Sequence, residues 1–309
     1  MNNKIGCVVV TYNRINKLKK ALAAYASQLE NLEYIIVVDN ASTDGTRDFL
    51  EKWQTEKSTE QRYIISLEEN VGGSGGFYAG QKKAIELAAD WIMLADDDAY
   101  PEPNYIKGIK SYITEHNCDN IAVLCGSVWE GKTYVSGHRS VYLRHFIDNN
   151  MIIPAQENSV KKVNDLFYID FSSYVGPIIK KDALNKAGLC NPDFFIWMDD
   201  FEHMYRLRRC GIIGYLPQYK IIHDTENLNN VINSLSWKNY YGLRNKLYFL
   251  KKYRYMYYIP TLAISIFKAT FCPFKGKKLK EVRLRLSAIL DASRCKLGIH
   301  DIYRPGWKP

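Results

Sequence analysis

The segment LADDDAY, residues 94–100, places three aspartates side by side after an apolar run. Packing three negative charges together costs free energy unless a cation or hydrogen-bond donors compensate. Asp96 and Asp98 form a D-x-D pair of hard oxygen ligands, which suit Mg²⁺ or Mn²⁺. The alternative is a solvated acidic turn that caps the next helix. Because a glycine-rich segment is expected beside these aspartates, the sequence favours the metal site over the acidic turn. Asp97 would lie next to the two metal ligands.

A second acidic pair follows an aromatic run in FFIWMDDFEHMYRLRRCG, residues 194–211. Asp199 and Asp200 at a helix start complement the helix dipole, and Glu202 can pair with Arg206 one turn later. That electrostatic explanation accounts for the charges but not for the aromatic neighbours. Aromatic rings beside carboxylates suit sugar binding, and they raise a carboxylate pKa toward the range of a general base.

His223 is a single histidine at the end of the strand-like run QYKIIHDTE. A lone histidine in such a place is more often structural than a ligand. A neutral imidazole can nevertheless complete a Mn²⁺ or Mg²⁺ shell begun by a D-x-D pair. Both interpretations of His223 stay open at the level of sequence.

The segment ENVGGSGGFYAGQKK, residues 69–83, contains five glycines and invites comparison with phosphate-binding loops. The dinucleotide fingerprint G-x-G-x-x-G fails because Tyr78 stands where its third glycine belongs. The Walker A pattern fails because Gly80 is followed by Gln81 and Lys82 instead of lysine and a hydroxyl residue. What remains is a turn whose glycines allow close approach to a ligand, with a helix expected from about Gly76 to Ala88.

The first half of the chain alternates short apolar runs with helix-length segments, which predicts an α/β fold with a parallel sheet covered by helices. Strands are expected at IGCVVVTYN, EYIIVVDN, RYIISLEEN and DWIMLADDD. Asp39, the glycine segment and the aspartate cluster each follow the end of one of these strands. In an open α/β sheet that edge binds ligands, so the sequence predicts one shared site.

Charge and cysteine content narrow the partners and the compartment. The 309 residues carry a formal charge of +9, and between Lys238 and Leu290 the only acidic residue is Glu281. An anionic partner is expected for this basic region. The seven cysteines are scattered without a C-x-x-C pair, which is typical of a reducing cytosol and argues against a zinc cluster or disulfide framework. The N-terminus enters a strand directly, so no signal segment is expected.

Taken together, the motifs resemble glycosyltransferase family 2, the inverting nucleotide-sugar transferases of GT-A fold. The matching segments occur in family order over residues 5–225. They are VVVTYNR, VVDNASTDGT, NVGGSGGFYAG, LADDDA, VGPIIKKDALNKAG and FFIWMDDFEHMYRLRRCG. The resemblance implies a GT-A domain over residues 1–225, with an open, mostly parallel Rossmann-like sheet flanked by helices. Residues 226–309 would form a mainly helical, basic region for acceptor, membrane-surface or oligomer contacts.

The resemblance also implies how a nucleotide-sugar would be held. Thr11, Asn13 and Asp39 would contact uridine, and Asp96 and Asp98 would hold the donor through Mn²⁺ or Mg²⁺ with His223 as a further ligand. The backbone of the glycine segment would run beside the ribose and diphosphate. The residues of that segment are Asn70, Gly72, Gly73, Gly75 and Gly76.

For the reaction itself, the resemblance implies direct displacement. Asp200 would be the general base on the acceptor hydroxyl, with Asp199 and Glu202 orienting the acceptor and Trp197 lining the sugar pocket. Within the family, N-x-G-G-x-G-G with W-x-D-D-x-E is most similar to the galactofuranosyltransferase branch. That branch implies UDP-galactofuranose as donor and a glycan acceptor in cell-surface polysaccharide of O-antigen or capsule type.

One departure from the pattern affects the donor. Related loops often carry arginine just before the last glycine, where this chain has Ala79, so the cation must come from elsewhere, such as Arg14, or the donor differs. Rhamnosyltransferases and other UDP- or dTDP-hexose transferases of this fold are the alternative.

The basic C-terminal part allows two interpretations. The apolar segment from Ile259 to Phe274 is broken by Lys268 and falls short of the roughly 20 residues of a membrane span. It suits peripheral contact with the inner face of a cell membrane and an acceptor on a lipid diphosphate. Equally, it suits a helical pair whose aromatics pack on the catalytic domain.

Two further classes compete with a transferase. The α/β pattern and glycines suggest a nicotinamide-dependent oxidoreductase, against which the failed fingerprint argues. A nucleic-acid binder would explain the positive charge and the tyrosines but gives no reason for two neighbouring carboxylate clusters. No nucleic-acid partner is therefore expected.

Overall fold

The structure is a computed structural model that describes residues 3–55, 61–142, 152–156, 158, 160–225, 235–271 and 279–308. Its strands are β1 (Ile5–Thr11), β2 (Tyr34–Asp39), β3 (Arg62–Ser66), β4 (Trp91–Asp96), β5 (Ala99–Pro101), β6 (Ile121–Glu130), β7 (Thr133–Tyr134), β8 (Arg139–Tyr142), β9 (Ile152–Pro154), β10 (Lys162–Val163), β11 (Leu166–Ile169), β12 (Phe171–Ser172), β13 (Ile178–Lys180) and β14 (Ile212–His223). Its helices are α1 (Ile15–Ala26), α2 (Thr46–Thr55), α3 (Gly72–Glu86), α4 (Tyr105–Glu115), α5 (Lys181–Ala187), α6 (Asp199–Leu207), α7 (Lys238–Tyr253), α8 (Tyr255–Phe271) and α9 (Leu279–Ser293).

Four parallel strands form the half of the sheet that carries the predicted site. Their order is β3, β2, β1, β4. Every residue of β1 and β2 is buried, as expected for strands covered by helices on both faces. The continuous apolar runs of the sequence are therefore explained by a sheet that has no exposed face here.

The other half of the sheet brings a distant histidine to the same site. β13 runs antiparallel between β4 and β6, and β14 pairs parallel with β6. The end of β14 also pairs antiparallel with the short β5, where His223 is opposite Ala99. Because β5 follows the three aspartates directly, this pairing carries His223 to them across more than 120 residues of chain.

Two helical layers bury the two faces of the sheet. Cys7 and Val9 of β1 face a core that includes residues of α1, α2 and α4, whereas Val8 and Val10 face a core with residues of α3, α5 and α6. This alternation follows the two-residue period of a strand. The structure thus confirms the predicted α/β architecture, with a central sheet that is mostly parallel.

Helix α3 begins four residues earlier than the sequence pattern predicts. The pattern predicts a loop with a helix from about Gly76, but α3 starts at Gly72 and includes all five glycines of the segment. Glycine weakens a helix by about 1 kcal/mol relative to alanine, which is why the pattern indicates a loop. Here tight packing overrides that propensity: a Cβ at Gly76 would collide with Val10, and one at Gly80 with Val8.

The C-terminal helices pack together and contact the N-terminal part of the chain. α7, α8 and α9 contact one another, and Asn245 on α7 bonds to the segment just before α6. Residues 226–234, where the predicted second region begins, and residues 272–274 of its apolar segment lie outside the described residues. None of the helices that the structure describes combines the length and apolarity needed to cross a membrane.

Candidate active site

The ends of three parallel strands bring the predicted donor residues together. In the register of the sheet, Thr11 of β1 is opposite Asp39 of β2, and Val10 is opposite Asp96 of β4. Thr11, Asp39 and Asp96 therefore share one edge of the sheet, as the sequence predicts for the carboxyl ends of parallel strands. This edge is called the donor edge below.

Hydrogen-bond donors compensate part of the charge of the aspartate cluster. Thr11 Oγ1 donates to Asp97 Oδ2 at 2.8 Å, and Arg14 Nη1 lies 3.2 Å from Asp97 Oδ1 and 2.8 Å from Asp98 Oδ2. Asp97 and Asp98 are each only 3% exposed, which rules out the solvated acidic turn. The side chains of Thr11 and Arg14 are thus engaged with the cluster itself.

Asp96, Asp98 and His223 form a candidate metal centre. One ligand atom from each lies within 4.8 Å of the others. His223 Nε2 is 3.3 Å from Asp98 Oδ1, and that buried oxygen has no well-aligned donor among the described residues. Two carboxylate oxygens and an imidazole nitrogen are a suitable set for Mn²⁺, so the residues present fit the implied ion.

The pKa values of these groups show an excess of negative charge. Burial and the charge of Asp98 raise the pKa of Asp96 to about 7. Burial alone would also raise the pKa of Asp98, but the contacts with His223 and Arg14 hold it below its usual range. The same two carboxylates raise the pKa of His223 against the effect of its burial. A divalent cation between these groups would favour the ionised carboxylates and the neutral imidazole.

His223 belongs to a second group of metal-binding side chains, with Glu130 and His138. Burial and the charge of His223 lower the pKa of His138 to about 3, so its ring is neutral. His138 Nδ1 lies 2.7 Å from Ser173 Oγ. His223 Nδ1 is buried with no hydrogen-bond partner in the part of the chain that the structure describes. No sequence pattern predicts Glu130 or His138 beside His223.

Asp39 offers a buried acceptor at the far end of the edge. It is fully buried, its Oδ1 accepts from Ser42 N at 3.0 Å, and its Oδ2 has no partner among the described residues. Leaving such an oxygen unpaired is costly, so its position calls for a ligand donor. Asn13 Oδ1 accepts from Thr43 N at 2.6 Å, which connects it to the neighbouring loop.

The glycine helix starts beside this edge and is held by Asn40. Asn40 Nδ2 donates to Asn70 Oδ1 at 3.1 Å and to Gly72 O at 3.0 Å, and its Oδ1 accepts from Val71 N at 3.0 Å. A Cβ at Gly73 would meet nothing within 4 Å, so this turn of the helix borders open space. The start of α3 at Gly73 therefore leaves room for a ligand to approach its backbone closely.

A short segment of unusual backbone joins the glycine helix to the second acidic pair. Phe195, Trp197 and Met198 have φ values of 65°, 62° and 71°, in the left-handed region that non-glycine residues rarely occupy. Phe195 O accepts from Ser74 N at 3.2 Å, and a Cβ at Gly72 would collide with that same oxygen. The glycine at position 72 is thus required by the close approach of Phe195 and by its own φ of +77°.

Two residues of α7 hold this strained segment in place. Asn245 Nδ2 donates to three carbonyl oxygens, those of Phe194, Ile196 and Trp197, at 2.9–3.0 Å. Arg244 Nη2 donates to Phe194 O at 3.2 Å. Both side chains are buried. Strained backbone persists where several surrounding contacts hold it in place. These bonds from α7 therefore fix the residues that lead into α6.

The acidic pair at the start of α6 differs in environment from Glu202. Burial raises the pKa of Asp199 to about 6, and burial with the charge of Asp199 raises the pKa of Asp200 well above its usual range. Asp96 raises the pKa of Asp200 further, so the two acidic groups act on each other electrostatically. Glu202 instead has its carboxylate bonded within the protein. Arg206 donates to both of its oxygens, and Tyr253 OH donates to Oε1 at 2.5 Å.

Trp197 and Lys238 add an aromatic and a basic side chain near these acidic groups. Trp197 is 44% exposed, and its ring lies against Gly242 of α7, where a Cβ would come within 2.8 Å of it. Burial and the charge of Arg14 lower the pKa of Lys238, while Asp96 opposes this change. Lys238 at the start of α7 is therefore within electrostatic reach of the donor edge. Sequence reasoning grouped it only with the general basicity of this region.

Substituting Asn245 by aspartate tests the connection between α7 and the strained segment. The variant replaces a donor to three carbonyls by an acceptor facing them, at a cost of about 1–3 kcal/mol for each unsatisfied buried group. We expect kcat to fall at least about tenfold, as 1.4 kcal/mol corresponds to one power of ten. If a nucleotide binds at Thr11, Asp39 and Asp96, as the resemblance implies, its affinity in calorimetry should change little.

The matched control is Asn117→Asp, an exposed asparagine whose Oδ1 accepts from Asp119 N and for which aspartate keeps the acceptor. It should leave kcat unchanged. An Asn245→Asp enzyme with wild-type kcat would show that α7 does not position the reacting groups.

Comparison with known proteins identifies the family. The model of glycosyl transferase family 2 matches residues 7–174, more than half of the chain. The chain belongs to glycosyl transferase family 2. It is therefore a transferase enzyme, which sets aside the oxidoreductase and the nucleic-acid binder. The matched residues include the donor edge, the glycine helix and the aspartate cluster.

Relatives of this family 2 enzyme act with different sugars. It is 27% identical to galactofuranosyltransferase GlfT1 of Mycolicibacterium smegmatis over 206 residues, which is 66% of this chain and 65% of that protein. It is 24% identical to the dTDP-rhamnosyl transferase RfbF of Shigella flexneri over 261 residues, 82% of this chain and 81% of that protein. The alignment to GlfT1 of Mycobacterium tuberculosis H37Rv covers 33% of each chain at 33% identity. The chain thus spans less than two thirds of the GlfT1 relatives.

Solved structures of GT-A glycosyltransferases share the fold of this family 2 enzyme. GalNAc-T7 with UDP, GalNAc and Mn²⁺ superposes with a TM-score of 0.64 at 15% identity, over 94% of this chain and 56% of that one. Staphylococcus aureus TarS 1-349 in complex with UDP gives a TM-score of 0.57 at 17% identity, over 94% and 80%. These likenesses confirm the GT-A architecture.

Proposed function

We propose that this family 2 enzyme transfers galactofuranose from UDP-galactofuranose to a glycan acceptor, with inversion at the anomeric carbon. One observation carries the proposal. Asp96, Asp98 and His223 form the candidate metal centre, and Asp200 is a second carboxylate near it. Burial and the charges of Asp199 and Asp96 raise the pKa of Asp200. A metal-bound diphosphate and a general base on opposite sides of one cleft are what direct displacement requires.

The nucleoside end of the donor would use the buried oxygen of Asp39. Its Oδ2 is an acceptor with no partner among the described residues, and uridine offers N–H and O–H donors. Asn13 keeps the adjoining loop in shape through Thr43, so we assign it a positioning role rather than direct contact. Thr11 likewise acts through Asp97.

The diphosphate would lie between the candidate metal centre and the N-terminus of α3. Mn²⁺ or Mg²⁺ would be held by Asp96, Asp98 and His223 and, when bound, would neutralise charge on the leaving UDP. Gly73 leaves open space beside the helix start, so diphosphate oxygens can approach the backbone. This chain has Ala79 where related loops carry arginine. Arg14 and Lys238, which lie near the aspartate cluster, would supply that positive charge.

The acceptor would enter past Trp197 and give its proton to Asp200. Asp200 Oδ1 accepts from the backbone N–H of Phe201 at 2.7 Å, which fixes the carboxylate at the start of α6. Asp199, buried beside it, keeps the pKa of Asp200 high by its charge. We assign Glu202 to positioning, because Arg206 and Tyr253 occupy its carboxylate.

A dTDP-rhamnose donor is the second candidate. The alignment with RfbF covers more of this chain, 82% against 66% for the Mycolicibacterium relative, although at lower identity. The absence of an arginine at position 79 also distinguishes this chain from the related loops. The two donors differ in both the nucleobase and the sugar, so a turnover assay separates them.

The product would belong to a cell-surface polysaccharide of O-antigen or capsule type, with the acceptor carried on a lipid diphosphate at the inner face of the cell membrane. The basic C-terminal helices support an acceptor carried on an anionic lipid. Turnover of UDP-galactofuranose by the purified chain with Mn²⁺ tests the proposal. A chain that turns over only dTDP-rhamnose would establish the second candidate instead.

A further inference from the structure

Helix α8 has its polar and apolar faces reversed relative to a normal surface helix. Its buried positions are Tyr258, Thr261, Ser265 and Ala269, at the three- and four-residue spacing of one helix face. The outward positions are apolar: Met256 is 86% exposed, and Ile259, Ile264 and Ile266 are exposed by 52%, 39% and 42%. A surface helix in water normally shows the opposite pattern.

The inner face of α8 confirms that this orientation is built into the packing. Ser265 Oγ donates to Thr261 O at 2.7 Å inside the helix interface, and Tyr258 OH lies 3.4 Å from Ser293 Oγ of α9. Small and hydroxyl-bearing side chains therefore fill the contact with the neighbouring helices. Rotating α8 to bury its isoleucines would break this packing and would expose Tyr258 and Ala269.

Helix α9 adds to the exposed apolar surface. Leu279, Leu286 and Leu290 are exposed by 62%, 45% and 48%, while Leu284 and Ala288 of the same helix are buried. α8 and α9 pack against each other. The exposed face of α8 and α9, defined by these isoleucines and leucines and Met256, is called the apolar face below.

The charge around the apolar face has one sign. Within residues 238–271 and 279–296, every charged side chain that is exposed is basic: Lys252, Lys268, Lys280, Arg283, Arg294 and Lys296. The acidic residues Glu281 and Asp291 are each 8% exposed and face inward, toward Arg285 and Tyr240. Within these two ranges, no exposed carboxylate opposes the positive charge of the basic side chains.

We propose that the apolar face docks on an anionic lipid bilayer. An apolar face flanked by lysine and arginine is the pattern of a helix that lies in the membrane interface, and anionic headgroups attract each basic side chain. A second copy of the chain is disfavoured as the occupant, because it would bring two unopposed basic surfaces together. α8 is too short and too interrupted to cross the bilayer, so it lies on the surface.

Docking on the membrane would place the active site next to a lipid-borne acceptor. α7 joins the two, since it carries Asn245 at the strained segment and leads at Tyr253 into α8. The link to a lipid-carried acceptor rests on the proposed function. Attachment itself does not, because vesicle binding is measured without donor or acceptor and can succeed or fail independently of the sugar.

The test is flotation of the full-length chain with vesicles. Vesicles of pure phosphatidylcholine are compared with vesicles that contain phosphatidylglycerol. We expect at least about tenfold stronger partitioning onto the anionic vesicles, weakening as salt is raised. Ile259→Ser with Ile266→Ser, two exposed positions seven residues apart on one face, should reduce it by about tenfold or more. Lys268→Glu should reduce it and make the remainder less sensitive to lipid charge, because the other exposed basic residues remain.

The matched control is Ile153→Ser, which alters an isoleucine of the same exposure, 42%, on β9. It should bind vesicles like the wild type. The Ile259→Ser, Ile266→Ser variant should keep its melting temperature and its turnover of a water-soluble acceptor. No partitioning of the wild type onto anionic vesicles would overturn the proposal. So would a wild-type dimer in sedimentation velocity that the double variant dissociates, because the face would then be a protein interface.

Discussion

Replacing Asp200 by asparagine should abolish transfer while leaving UDP binding nearly intact. Asparagine keeps the shape and the acceptor oxygen that bonds to Phe201 N, but it cannot take a proton from the acceptor hydroxyl. Loss of a general base costs about 10²–10⁴-fold in rate. We expect kcat to fall within or beyond that range, and calorimetric UDP affinity in the presence of Mn²⁺ to change less than about threefold, roughly 0.6 kcal/mol.

The matched control for Asp200→Asn is Asp182→Asn. Asp182 lies in the first turn of α5, as Asp200 lies in the first turn of α6, but Asp182 is exposed. It should retain full activity. If Asp200→Asn lost UDP binding together with activity, Asp200 would be a donor ligand and not the base. If it kept most of its activity, another group would take the proton.

The pH profile of the wild type follows from the same residue. Burial and the charge of Asp199 raise the pKa of Asp200 above the value near 4 of a free carboxyl. A general base works when it is deprotonated, so kcat/KM should rise with pH through this raised pKa. The rising limb should therefore lie above that of an ordinary carboxylate, and the residual activity of Asp200→Asn should not show it.

Replacing Asp96 by asparagine should remove the dependence on metal and most of the activity. Asp96 is one of the two carboxylate ligands of the candidate metal centre. Stabilising the charge of the leaving diphosphate is worth several kcal/mol, so kcat/KM should fall by about two powers of ten or more. In contrast to Asp200→Asn, UDP binding in the presence of Mn²⁺ should weaken as well.

Thermal unfolding checks the metal assignment without an activity assay. Because the pKa of Asp96 is raised to about 7 and that of Asp97 to about 6, their protonation stabilises the metal-free fold. This contribution is complete below the unfolded value of 3.8 and is lost as pH rises through 6 and 7. Mn²⁺ needs the ionised forms, so it should raise the Tm more at pH 8 than at pH 5.5.

In Asp96→Asn that pH-dependent gain with Mn²⁺ should disappear, whereas Asp119→Asn, an exposed aspartate far along the chain from the cluster, should keep it. A wild-type Tm that does not respond to Mn²⁺ at pH 8 would argue against a metal centre at these residues.

The donor edge was predictable because it depends on local patterns. β1, β2 and β4 are continuous apolar runs that end in polar residues, so the positions of Thr11, Asp39 and Asp96 at one edge follow from the parallel sheet. His223 was harder. Its approach to Asp98 depends on the antiparallel pairing of β5 with β14, which no local pattern reveals. The family resemblance supplied it instead.

The glycine segment and the strained segment show where local rules fail. Propensity predicts a loop at Gly72, but the segment is helical from there, with Gly72 packed closely against Phe195 and Gly76 against Val10. The positive φ values of Phe195, Trp197 and Met198 could not be foreseen, because none of them is a glycine. Asn245 gave no warning either: its role depends on three carbonyls about 50 residues away in sequence.

Glu202 illustrates how two roles compete for one side chain. The sequence allowed either an i,i+4 pair with Arg206 or a contact with the acceptor. The structure shows the pair, completed by Tyr253 from α7. Tyr253 lies 51 residues away, so burial of Glu202 in this network could only be seen once α7 was placed against α6.

The most direct test of the central claim is a donor panel with the purified full-length chain and Mn²⁺. UDP-galactofuranose, UDP-galactopyranose, UDP-glucose and dTDP-rhamnose are each offered with a lipid-diphosphate-linked glycan acceptor, and product is measured by mass spectrometry. We expect product from UDP-galactofuranose with the wild type and none with Asp200→Asn. Product from dTDP-rhamnose or a pyranose donor alone, with none from UDP-galactofuranose, would contradict it.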